Sequence, residues 1–142
     1  MKKSKLFTLS IFLFLLLVTS ITYANPIEVK LVTIEEYKAN ADHTTLLDVR
    51  SVNSRTKSNQ AIPGEIWINP YSGNILQNFI TSADKNVSYT IFCSCVDDNY
   101  SIRAAQILLK NEFKNVTVLK GGWDKLTKSG IKMISIDGGT QK

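Results

Sequence analysis

The chain has few of the residues that staple small domains or hold metals in them. Its 142 residues include two cysteines, one histidine and three prolines. Two thiolates, with Asp97 and Asp98 near them and the histidine far off in sequence, do not complete a tetrahedral metal site, so no metal is expected. Neither an internal repeat nor a low-complexity tract is present, which removes solenoid and disordered architectures. A stripe of Lys and Arg interleaved with aromatics is also missing, which argues against nucleic acid as a partner. The formal charge of +5 misleads here. Of 17 basic residues, Lys2, Lys3 and Lys5 lie in an N-terminal segment without acids; the other 14 face 12 acidic residues, a net of +2.

That N-terminal segment has the grammar of export. Three lysines precede a mostly apolar run from Leu6 to Val18, and Thr22-Tyr23-Ala24 puts small residues where a signal peptidase inspects. We expect residues 1–24 to be a cleaved signal peptide, with the product in a bacterial periplasm or secreted. The alternative is an uncleaved membrane anchor, since Leu6 to Tyr23 is 18 residues, close to the lower limit for a span. Ser10, Thr19, Ser20 and Thr22 dilute that run and no basic stop-transfer cluster follows, which favours cleavage and a mature protein outside the membrane. Removing 24 of 142 residues leaves 118, enough for one domain with a core and too few for two. Residues 25–142 are that domain.

Strand and helix patterns alternate along it. Ile27 to Val32 predicts a strand, and Thr33 with Glu36 three residues later forms a capping box that starts a short helix through about Lys38. Thr45 to Val49 reads as a buried strand, followed by a polar stretch, Ser51 to Gln60, suited to a short helix or a loop. Ile62-Pro63-Gly64 is a rigid turn, Ile66 to Ile68 a short strand, and Ile75, Leu76, Phe79 and Ile80 share one helical face. Ser88 to Phe92 predicts a strand, and a helix capped by Ser101 follows. Val116 to Leu119 is a last core strand, Gly121-Gly122 a turn and Trp123 to Thr127 a short helix, before a terminal apolar segment, Ile131 to Ile136. Strands separated by helices favour a parallel sheet covered on both faces, with ligands at the carboxyl ends of its strands.

Both cysteines, Cys93 and Cys95, fall at one of those ends. Amides of a loop entering a helix, together with the helix dipole, stabilise a thiolate over a thiol, so a nucleophilic sulfur is the first reading. Two other readings stand beside it, a buried cysteine that fills space and a Cys-x-Cys disulfide acting in thiol exchange; a soft-metal site, the third, is left incomplete by two cysteines alone.

Four motifs in order carry a family resemblance: Leu46-Leu47-Asp48-Val49-Arg50; Ile62-Pro63-Gly64; Phe92-Cys93 followed by Ser101-Ile102-Arg103-Ala104-Ala105; and Leu119-Lys120-Gly121-Gly122-Trp123. Over about residues 30 to 130 the chain resembles a rhodanese-like domain. The resemblance implies an α/β fold with about five parallel strands and helices on both faces. It also implies a sulfurtransferase or persulfide carrier that moves sulfane sulfur from a small donor, such as thiosulfate, to a thiol or cyanide-like acceptor, without a cofactor. Cys93 matches the family nucleophile, and Cys95 is an extra thiol. Ser94, Val96, Asp97, Asp98, Asn99, Tyr100 and Ser101 make up the active-site loop, with Asp48, Arg50 and Arg103 in support. Inactive modules share the fold, so a non-catalytic or redox-sensing binding module using the Cys93/Cys95 dithiol is the alternative. No protein partner is indicated.

The loop departs from the family pattern. Seven residues separate Cys93 from Ser101, with no glycine among them, and Asp97 and Asp98 stand where a cation is common. Facing the pocket, these acids would repel a dianionic donor; on the rim, solvent would screen them. A phosphatase loop is excluded, because no arginine lies six positions after either cysteine. Asp48 and Arg50 also fit an ion pair that anchors loops, Arg103 a solvated helical group and His43 a surface turn. Trp67 and Trp123 fit either core packing or the pocket wall.

Overall fold

Ser88–Phe92 (β5) is buried from its second residue onward, as a strand covered on both faces must be. In the computed structural model, which describes residues 26–69, 71 and 74–136, β5 lies at the centre of a five-stranded sheet. The other strands are Lys30–Val32 (β1), Thr45–Asp48 (β2), Ile66–Trp67 (β4) and Asn115–Leu119 (β6), in the order β1-β6-β5-β2-β4. Every pairing in this sheet is parallel. The expected signal segment lies outside the described residues. Among the described residues no helix is long and apolar enough to cross a membrane.

The helices are Ile34–Ala39 (α1), Val52–Ser58 (α2), Ile75–Ser82 (α3), Asn99–Lys110 (α4) and Gly122–Lys128 (α5). Side chains alternate across a strand, so β5 divides its residues between two cores. Tyr89, Ile91 and Cys93 pack with Phe79 and Ile80 of α3 and Ala104, Ala105 and Leu108 of α4. Phe92 faces the other way, toward Tyr37 of α1 and Leu126 of α5. The Thr33 capping box forms as expected: Thr33 Oγ1 accepts from the Glu36 amide, and the Glu36 carboxylate accepts from the Thr33 amide.

Two expectations are corrected. Ser101 does not cap α4, which starts two residues earlier, after Asp98 in the left-handed region (φ 55°) with no side-chain cap. Ser101 sits inside the first turn, buried. The terminal apolar segment also contributes a strand: Ile134–Ser135 (β7) pairs antiparallel with Gln60–Ala61 (β3) in a separate two-stranded ribbon. Strands of two residues are too short to show a period of two.

Candidate active site

The last residue of β2 and the residue following β5 open side by side at the carboxyl ends of the strands. Parallel pairing sets Asp48 opposite Phe92, and the Val49 amide donates to the Phe92 carbonyl at 3.0 Å. Cys93 follows, 1% exposed, on the α3–α4 side of the sheet. Its backbone is held from the next strand's turn: the Trp123 amide donates to the Cys93 carbonyl at 2.8 Å. Gly122 makes that approach possible. A Cβ on Gly122 would lie 3.2 Å from both the nitrogen and the carbonyl carbon of Cys93, closer still to its oxygen, and the backbone there has φ +38°. The Gly-Gly-Trp motif is thus the seat of Cys93.

A graded response to alanine follows. Gly130 also has positive φ (+76°), but open space where its Cβ would be, so Gly130→Ala should cost only the left-handed penalty of about 1 kcal/mol. At Gly122 overpacking against backbone adds to that penalty, for a loss on the order of 3 kcal/mol. Urea unfolding of the two variants measures the difference, and equal losses would contradict this account of the seat.

The two cysteine sulfurs are joined in a disulfide, with Cα atoms 5.6 Å apart. The Cys95 amide lies 3.4 Å from Cys93 Sγ, directed as a donor. Beside them a cavity of about 370 Å³ is lined by Val49, Arg50, Ser51, Ser54, Tyr71, Cys93, Ser94, Cys95 and Tyr100. Tyr71 and Tyr100 meet edge to face at 5.3 Å and form its aromatic wall. Tyr71, Ser51, Ser54 and Val49 were not foreseen as lining. They come from segments that follow β2 and β4, distant from the cysteine loop in sequence, and the parallel register of β4 beside β2 and β2 beside β5 brings them there.

Neither acid of the loop lines this cavity. Asp97 is exposed, and its carboxylate accepts from the amide and the side chain of Asn99. Asp98 is buried, and its Oδ2 accepts from the Gly121 amide at 2.8 Å, tying the cysteine loop to the turn that seats Cys93. The repulsion of a dianionic donor that these acids would exert inside the pocket therefore has no structural basis. Val96 is fully exposed at the loop tip and Asn99 begins α4. Arg103 is exposed on α4 and outside the cavity lining, so a supporting role toward the sulfur is not what its position serves. His43 is exposed at the end of a short 3-10 helix.

Asp48 and Arg50 belong to a buried ionic cluster under the cavity. The Asp48 carboxylate accepts from the Arg50 amide (2.8 Å), from Nε (3.0 Å) and from Nη2 (2.8 Å), and from Nη1 of Arg55. Arg55 Nη1 also donates to Glu65 at 2.5 Å. All four side chains are shielded from solvent. The Arg50 guanidinium carbon lies 3.6 Å from the centre of the Trp123 ring, and the Arg50 carbonyl accepts from Trp67 Nε1 at 2.9 Å. Both tryptophans therefore brace Arg50 rather than wall the cavity. Burial, and after it the Asp48 charge, push the Glu65 carboxyl up to about 7. Arg55 and Glu65 went unforeseen because Arg55 lies on a short polar helix and Glu65 just after the Pro63-Gly64 turn, and no local pattern pairs residues seven and ten positions apart. Among the described residues no group of three or more His, Cys, Asp and Glu side chains gathers to hold a metal ion.

A model of the rhodanese-like domain matches residues 33–129. Among solved structures, the Alr3790 protein from Anabaena sp. is 20% identical with a TM-score of 0.61, over 75% of this chain and 83% of that one. The BH2092 protein from Bacillus halodurans is 18% identical with a TM-score of 0.62, over 75% and 77%. A rhodanese-related protein from Thermoplasma volcanium is 18% identical with a TM-score of 0.57, over 74% and 97%. No curated protein gives a significant match. With a five-stranded parallel sheet, a cysteine seated on a Gly-Gly-Trp turn and a family match across most of its length, the chain belongs to the rhodanese-like domain family.

Proposed function

We propose that this protein is an exported sulfurtransferase or persulfide carrier whose nucleophile is Cys93. The observation that carries the reading is the seat of that residue. Cys93 stands at a strand end with its carbonyl clamped by Trp123 and the Cys95 amide directed at its sulfur, beside a cavity able to admit a small donor. An N–H aimed at sulfur favours thiolate, the reactive form. Once the disulfide is reduced, the thiolate attacks the outer sulfur of a sulfane donor; a Cys93 persulfide forms and the remainder of the donor leaves with its electron pair. With thiosulfate the leaving group is sulfite. A thiol or cyanide-like acceptor then takes the sulfur in a second displacement.

Export rests on the lysine-led apolar segment of residues 1–24 and the small residues that end it. A second reading, a redox-sensing binding module, is favoured by the Cys93–Cys95 disulfide, which silences the nucleophile while it lasts. Intact-mass measurement of the reduced Cys95→Ser variant, in which Cys93 is the only thiol, after exposure to thiosulfate and to an alkyl persulfide separates the two. Uptake of one sulfur, reversed by cyanide, is the expected result, and no uptake from either donor would favour the module.

A further inference from the structure

The two sulfurs of the loop differ in exposure and in anchorage. Cys93 is buried and its carbonyl is clamped by Trp123, whereas Cys95 is half-buried on the loop between Ser94 and Val96, both exposed. Yet the structure joins them, so Cys95 Sγ reaches Cys93 Sγ without unfolding of α4 or of the strand. The sulfur of Cys93 that would carry a persulfide is the same atom that Cys95 bonds. An acceptor held this close acts at an effective concentration no dissolved thiol attains.

From this we infer that Cys95 resolves the Cys93 persulfide and that the protein thereby releases sulfane sulfur as hydrogen sulfide. The step rests on the persulfide chemistry proposed above. The Cys95 thiolate attacks Sγ of Cys93, the inner sulfur of the persulfide. The Sγ–Sγ bond of the disulfide forms, and the bond between Cys93 Sγ and the outer sulfur breaks. The outer sulfur leaves with the electron pair and its proton as HS⁻. Sulfane sulfur is reduced by two electrons and the two cysteines are oxidised by two, giving the disulfide seen in the structure.

Turnover then requires a dithiol reductant, and the difference in exposure sets where it acts. The reductant's thiolate attacks the accessible Cys95 sulfur, and Cys93 departs as a thiolate into the site that stabilises it. Its second thiol completes the exchange and frees Cys95. The net reaction turns a sulfane donor and a dithiol into sulfide, the spent donor and an oxidised dithiol. The partner implied is a reducing protein or small molecule of the dithiol class.

Thiosulfate is the cleanest probe, because its own leaving group is sulfite and any sulfide must come from the second step. Reduced wild-type protein, freed of reductant and given thiosulfate and, separately, an alkyl persulfide, should release one sulfide per chain and finish two hydrogens lighter, without bound sulfur. Cys95→Ser should take up one sulfur and hold it, with sulfide release at least tenfold slower; Cys95→Ala should behave alike. Wild type that retains its persulfide as long as Cys95→Ser does, with no excess of sulfide, would overturn the resolving step while leaving the sulfurtransferase reading intact. If Cys95→Ser and Cys95→Ala take up no sulfur from either donor, the persulfide reading itself fails, and this step with it.

Discussion

Cys93→Ser should abolish persulfide formation and reduce sulfur transfer to cyanide to the uncatalysed background, whereas Cys95→Ser should keep the first displacement within about threefold of wild type. A serine hydroxyl lacks the acidity and polarisability that make a thiolate attack sulfur. The asymmetry follows from the seat. Cys93 is fixed by the Trp123 amide and faces the Cys95 N–H, while Cys95 lies farther along the loop. Serine at position 95 leaves that backbone amide in place. Both variants must be compared with reduced wild type, because the disulfide otherwise blocks Cys93. Release of sulfite from thiosulfate reads the first step and thiocyanate formation the second. Inactivity of Cys95→Ser with full activity of Cys93→Ser would assign the nucleophile two residues later. Loss of both would mean that the pair acts as one dithiol.

How much of this site could be read in the sequence depended on the range of the interactions. Ser88–Phe92 and Thr45–Asp48 appear within a residue of their expected limits, because a strand buried on both faces writes an apolar run into consecutive positions. The capping box at Thr33 is likewise local, three residues from donor to acceptor. The start of α4 differs from the expected cap at Ser101 for the opposite reason. Asp98 and Ser101 are both good cap residues, yet the Asp98 carboxylate is taken by the Gly121 amide, 23 residues away, and the helix begins without a side-chain cap. No local rule reports a side chain engaged at that distance. The same holds for Ser51 to Gln60, read as polar helix or loop, which carries Arg55 fully buried against Asp48 and Glu65. A guanidinium is buried there only because two carboxylates meet it, and one of them arrives from beyond the Pro63-Gly64 turn.

Asp48→Ala should be the most damaging substitution to stability, at about 3 to 5 kcal/mol, because it leaves two buried guanidiniums with only one carboxylate between them. The loss should also depend on pH, and its sign can be worked out from Glu65. In wild type the Glu65 carboxyl stands at about 7, above its usual 4.5, through burial first and then the charge of Asp48. A carboxyl raised on folding holds a proton that the unfolded chain has released. Its contribution to stability is therefore whole below about 4.5 and lost as pH rises through about 7. Removing Asp48 removes that repulsion, and the Glu65 carboxylate becomes the sole counter-charge of Arg50 and Arg55, so its pKa falls. The variant then loses less stability than wild type as pH rises, and the penalty is larger at pH 5 than at pH 8. Urea unfolding at those two pH values tests this; a loss below about 1 kcal/mol, or one that grows toward pH 8, would contradict the account. The effect should extend to the sulfur. Arg50 packs on the ring of Trp123, whose amide holds the Cys93 carbonyl, so loosening Arg50 loosens the clamp. Under conditions where Asp48→Ala remains folded, its rate of sulfur uptake should fall below that of wild type although no atom of Asp48 lines the cavity.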